Sequence, residues 1–168
     1  KMDGENFTMY NDYCHARSVD SKNHSSRNWA KNFHAQIMAD IPEGWRVCSE
    51  NMYALHSISY TNLESFVLGF SIWNEKNICL EYQHDTREWF KLLGITESPV
   101  LYEGPYSRKE LERIEKSLVW ERDEGYVIRC NESFHYSEFK NKVAKYVRRG
   151  HIQTTQHWMH GKEVVPNK

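Results

Sequence analysis

The chain has 168 residues, 39% of them hydrophobic and 14% aromatic, which suits one compact domain with its own core and excludes full disorder. Twenty-two Lys and Arg against 23 Asp and Glu leave a formal charge of −1. That balance argues against a strongly basic nucleic-acid coat protein and against an acidic tail protein.

In chain order, residues 6–18 predict two short strands around an Asn11-Asp12 turn. Residues 26–40 predict a helix. Trp29, Phe33 and Ile37 recur every four positions, Ser26 suits its cap, and Pro42 lies just beyond its end. Residues 46–55 are β-like, and 66–73 are a continuous apolar run that suits a buried strand. Residues 77–82 predict a further strand, paired with the previous one through a turn at 74–76. Asp85 and Glu88 have capping-box spacing and open a helix that stops at Gly94; Ser107 and Glu110 do the same for a helix with Leu111, Ile114 and Leu118 on one face. Residues 124–130 predict a strand. Residues 136–149 fit two patterns: Val143, Lys145 and Val147 alternate as in a strand, while Lys142, Lys145 and Arg149 share a helical face. The strand-turn-strand pairs predict an α+β fold of antiparallel sheets flanked by helices, not a doubly wound sheet.

The near-neutral average conceals a gradient. Residues 1–74 carry 6 basic and 8 acidic residues, 75–124 carry 8 and 12, and 125–168 carry 8 and 3. The basic C-terminal segment is either a solvated face or a phosphate-binding one. No apolar run reaches membrane-spanning length and no signal peptide is visible. Cys14, Cys48, Cys79 and Cys130 are far apart, which argues against a zinc site and for a reducing, cytoplasmic setting. His151, His157 and His160 are spaced too irregularly for a metal cluster and suit surface or phosphate contacts.

Five stretches carry chemistry, and each has an ordinary alternative. Lys1-Met2-Asp3-Gly4 is a surface hairpin, or a nucleophilic lysine with a tight turn behind it. Glu50, in an otherwise apolar stretch, needs a partner; that partner is an internal cation or N–H, or the hydroxyls of a sugar. Phe70 is a core residue, or a ring on which a purine stacks, with Gly69 allowing a flat ligand to approach. Glu124-Gly125 at the mouth of an apolar strand is a strand-starting turn, or a carboxylate that orients a metal or an amine. Val143 to Arg149 forms the centre of the basic segment.

Taken in order, these stretches resemble the motif succession of the covalent nucleotidyltransferases, and within them the ATP-dependent RNA ligases. The strings VCSENMYALHSI, FVLGFSIW, EGYVIR and VAKYVRRGHIQTTQHWMH add to the resemblance, which runs from Lys1 to about Asn167. It implies a single nucleotidyltransferase domain over residues 1–168, with an ATP-grasp-like ligase core. Because the sequence starts at Lys1, the expectation is a domain that lacks its first strands.

The resemblance also implies an activity: a lysine attacks ATP to form lysyl-AMP, AMP passes to an RNA 5′-phosphate, and a 3′-hydroxyl seals the strand. Lys1 matches the nucleophile. A free lysine, with a pKa of about 10.4, must lose its proton to attack. Asp3 and Gly4 complete that motif, Arg17 matches a phosphate-contacting arginine, Glu50 the ribose carboxylate and Phe70 the adenine stack. Glu124 matches the acid that helps hold Mg²⁺ or Mn²⁺ and the lysine, and Lys145 the lysine at the α-phosphate. The family's usual second lysine, separated from the first by one residue, is replaced by Val147, and the resemblance leaves Arg148 or Lys142 as its substitute. Lys142, Arg148 and Arg149 are expected to grip RNA, and no obligatory protein partner is evident. The alternatives are a capping guanylyltransferase, a DNA ligase with the same chemistry, or a non-catalytic nucleotide- or RNA-binding module.

Overall fold

The structure is a computed structural model and describes residues 1–19, 23–147 and 163–168. Arg148, Arg149 and the three C-terminal histidines lie outside the described residues. The fold is α+β. Its first strands are β1 (Glu5–Met9) and β2 (Cys14–Ala16), then β3 (Trp45–Asn51), β4 (Val67–Asn74), β5 (Ile78–Cys79) and β6 (Thr96–Glu97). Strands β7 (Gly125–Arg129), β8 (Phe134–His135) and β9 (Val143–Val147) follow. The helices are α1 (Asn28–Ile37), α2 (Arg87–Leu93), α3 (Arg108–Ser117) and the single turn α4 (Phe139–Lys142).

The main sheet runs β2-β1-β3-β4-β5-β8, with β6 added parallel to β4, and every other pairing in it is antiparallel. Alternation assigns its faces. Phe7, Met9, Val47 and Val67 are fully buried and pack with Ala30 and Ile37 of α1 and Phe90 and Leu93 of α2. The intervening Asn6, Thr8, Cys48 and Glu50 therefore point to the other face. Strands β7 and β9 form a separate antiparallel pair, with Gly125 opposite Val147 and Arg129 opposite Val143. Val143 packs against Trp73, Cys79 and Phe134, so this small sheet faces the main sheet on the side away from α1.

Local chemistry departs from the sequence expectation in four places. The turn before α1 (Ser25–Arg27) is capped by His24, whose ring nitrogen accepts from the Ser26 N–H; Ser26 itself is buried inside the turn. Ahead of α2, Glu81 is the cap: its carboxylate accepts from the N–H groups of Gln83, His84 and Asp85, and a π-turn, Tyr82–Thr86, leads into the helix. A longer acidic side chain thus takes the place expected for Asp85. Of the two patterns for 136–149, the strand alternation of Val143, Lys145 and Val147 holds; one helical turn precedes it at Phe139–Lys142, so Lys142 and Lys145 do not share a helical face, and Arg149 lies outside the described residues. Finally, Gly69 does not open a ligand face. A Cβ there would sit 2.7 Å from the Phe90 ring and 2.8 Å from Ile95, so the glycine admits α2 onto the sheet. The helix end at Gly94, the cap of α3 by Ser107 and the turn at 74–77 are as expected.

Gly69→Ala is expected to lower stability by about 1–3 kcal/mol through overpacking, read as a shift in the urea midpoint with little change in slope. An unchanged midpoint would show that α2 moves away without cost.

Candidate functional site

The segment ahead of β1 crosses to the mouth of β7. The Lys1 ammonium lies 2.5 Å from Glu124 Oε2, and the Lys1 backbone nitrogen donates to Gly125 O at 2.6 Å. Glu124 is almost wholly buried, at 2% exposure, and a buried carboxylate is costly without a nearby cation such as Lys1 supplies. Gly125 has φ 153°, and a Cβ on it would stand 1.9 Å from Tyr146 O. Only glycine lets β9 lie this close, which is what brings Glu124 to Lys1.

Asp3 and Gly4 hold the lysine from behind. Asp3 is buried, and its Oδ2 accepts three hydrogen bonds, from Ser57 N, Ser57 Oγ and Ile58 N at 2.6–2.9 Å. Its own N–H donates to Tyr60 Oη. The Gly4 N–H donates to Glu50 Oε1 at 3.2 Å, and a Cβ on Gly4 would meet Asn51 O at 2.6 Å. Just beyond, Glu5 makes a buried two-pronged ion pair with Arg27, fixing the start of β1 to the turn before α1. Burial pushes the Glu50 carboxyl up to about 7, against the opposing pull of the Lys1 charge and the Gly4 N–H.

Phe70 is half-buried and occupies an irregular position. Ser49 pairs with Gly69 and Cys48 with Ser71, so Phe70 is the extra residue of a β-bulge. A bulge re-aims its side chain and takes its carbonyl out of the ladder. Arg129 satisfies that carbonyl at 3.0 Å, also donates to Leu80 O, and lies over the Tyr82 ring at 4.6 Å. Alternation puts Val127 on the same face of the small sheet as Arg129, and the register puts Lys145 beside Val127. Lys145 therefore stands between the two points where the sheets are tied, and both it and Val127 are exposed.

Lys1, Asp3, Gly4, Glu50 and Glu124 thus converge, with Phe70 and Lys145 on the facing strands. Arg17 is exposed, one residue past the Ala16–Phe7 pair at the outer strand of the main sheet. Lys142 stands apart, on α4, 3.8 Å from Glu132. Among the described residues no three His, Cys, Asp or Glu side chains form a metal cage, and no helix is long and apolar enough to cross a membrane.

Sequence reasoning missed the support beneath Asp3. Asn167, 3% exposed, donates from Nδ2 to Met52 O and Ala54 O, and its Oδ1 accepts from Tyr60 N. Its N–H donates to Tyr53 O, and Lys168 N–H to Tyr60 O. The C-terminal residues thereby fasten the loop that grips Asp3. A lone asparagine near a chain end gives no sequence signal for this.

Two predictions follow from the geometry. For Glu50, the folded carboxyl holds its proton more tightly than the unfolded one, so folding stability falls as pH rises from about 4.5 to about 7. Glu50→Gln should remove that slope and raise stability above pH 7 by about 1–3 kcal/mol, read by denaturant titration; parallel curves across pH would contradict it. Asn167→Ala should speed amide exchange at Ser57, Ile58 and Tyr60 more than at β3, whereas a uniform acceleration would not fit a local clasp.

A family model described as RNA ligase matches residues 1–147. No curated protein and no solved structure gave a match.

Proposed function

The chain belongs to the RNA ligase family, and from that membership we propose that it joins RNA ends through a lysyl-AMP intermediate on Lys1. The observation that supports this most directly is the Lys1–Glu124 contact, with Asp3 and Gly4 fixing the backbone behind the amine. An amine attacks phosphorus through its lone pair, so it must first lose a proton. Glu124, in contact with Nζ, is the acceptor in this proposal.

The Nζ–P bond forms at the α-phosphate of ATP while the bond to the bridging oxygen breaks and pyrophosphate leaves. Charge accumulates on the α-phosphate oxygens in that step, and Lys145 supplies the compensating positive charge. Phe70 offers a face for adenine, and Glu50 an acceptor for ribose hydroxyls. The RNA 5′-phosphate then attacks the lysyl adenylate, which frees Lys1, and a 3′-hydroxyl displaces AMP to make the phosphodiester.

The donors near Lys1 are carboxylate oxygens, which suit Mg²⁺ or Mn²⁺, but among the described residues they form no cage of three or more. Such an ion would be held by Glu124 together with ATP phosphates, and would neutralise phosphate charge.

Incubation with α-labelled ATP and Mg²⁺ should yield a protein–AMP adduct that Lys1→Ala abolishes. Lys145→Ala should slow its formation about 10²–10³-fold. Preferential labelling from GTP would instead support a capping guanylyltransferase, and sealing of nicked DNA but not RNA would support a DNA ligase.

A further inference from the structure

The reactive-lysine cluster occupies one end of a longer sheet face. Asn6 pairs with Glu50, and Thr8 pairs with both Cys48 and His15, so all five side chains share the face opposite the buried Phe7 and Met9. Farther along this face the Tyr10 and Tyr13 rings stack at 4.2 Å and 7°, and His15 lies 5.8 and 6.1 Å from them. Arg46 comes next, within electrostatic reach of the Tyr10 hydroxyl and 5.4 Å above the Trp73 ring. Tyr136 continues the series, 6.0 Å from Trp73.

The two ends of the series are accessible, Tyr13 at 49% and Tyr136 at 60%; Tyr10 and His15 are half-buried, and Trp73, 6% exposed, lies buried under Arg46. Two arginines stand along the aromatic part of this face. Arg46 donates to the Asn77 side-chain amide rather than to a carboxylate, and Arg17 is exposed beside β2. The turn carries one acid, Asp12, and it is exposed. Exposed aromatic faces interleaved with cations bind unpaired nucleic acid, because every base has a face to stack and every linkage a charge to match. From Glu50 to Arg46 the strand advances four residues, about 14 Å. A strand whose reacting end lies at Lys1 would reach the aromatic series within a few nucleotides.

We propose that the aromatic face formed by Tyr10, Tyr13, His15, Arg46 and Tyr136, with buried Trp73 supporting Arg46 from below, is a stacking platform for unpaired RNA next to the ends being joined. The proposal rests on the RNA-ligase function above and adds to it where the strand lies and that its flank is single-stranded.

The test is fluorescence anisotropy with a labelled, unstructured 5′-phosphorylated RNA of about twelve nucleotides. Tyr13→Ala and Tyr136→Ala should each weaken binding about fivefold or more, and Tyr13→Trp should retain it. Melting temperature checks that the variants are folded. The same sequence as a duplex should show no such loss, because its bases are already stacked. Unchanged affinity in both alanine variants, or an equal loss on duplex, overturns the platform. ATP labelling of the wild-type protein reports separately on the lysyl-AMP reaction: absence of an adduct would overturn that chemistry, while the RNA-binding result would still decide the platform.

Discussion

Everything in the candidate site depends on one contact, the Lys1 ammonium against the nearly inaccessible Glu124 carboxylate. It joins the first residues of the main sheet to the mouth of the small one. A buried carboxylate is costly without a cation, and breaking such a pair by removing one partner commonly costs about 3–5 kcal/mol. The protein meets this constraint with backbone: the Lys1 nitrogen bonds Gly125 O, and Gly125 lets β9 approach to a distance no side chain tolerates. Glu50 adds a second carboxyl nearby, and burial raises its affinity for a proton.

The remaining architecture supports that contact from three directions. Asp3 is held by three donors from the loop at 57–58, and that loop is fastened in turn by Asn167. The Glu5–Arg27 pair fixes β1 against α1. Arg129 ties the small sheet to the bulge at Phe70, which makes it both a structural arginine and the partner of an otherwise unpaired carbonyl. Lys145, opposite Val127, lies on the open stretch between the two ties.

Much of this was legible in the sequence, because the signals were local. The strand pairs, the stop at Gly94 and the Ser107 cap each rest on a few neighbouring residues, and the order of the motif-bearing stretches pointed to the right family. What was not legible was mostly long-range. The Glu81 cap is local, but it holds a π-turn that the capping-box spacing of Asp85 and Glu88 does not announce. Nothing in the neighbouring residues says that Gly69 serves helix packing rather than a ligand. The bulge at Phe70 exists only as a mismatch between two strands. Asn167 is separated by more than a hundred residues from the carbonyls it bonds.

The central claim is that Lys1 Nζ, held against Glu124, is the atom that takes up AMP. Its most direct measurement is peptide mapping by mass spectrometry after incubation with ATP and Mg²⁺. The account predicts adenylate on the side chain of Lys1 and on no other residue. Adenylate carried by Lys142, Lys145 or another side chain while Lys1 stays unmodified would contradict it.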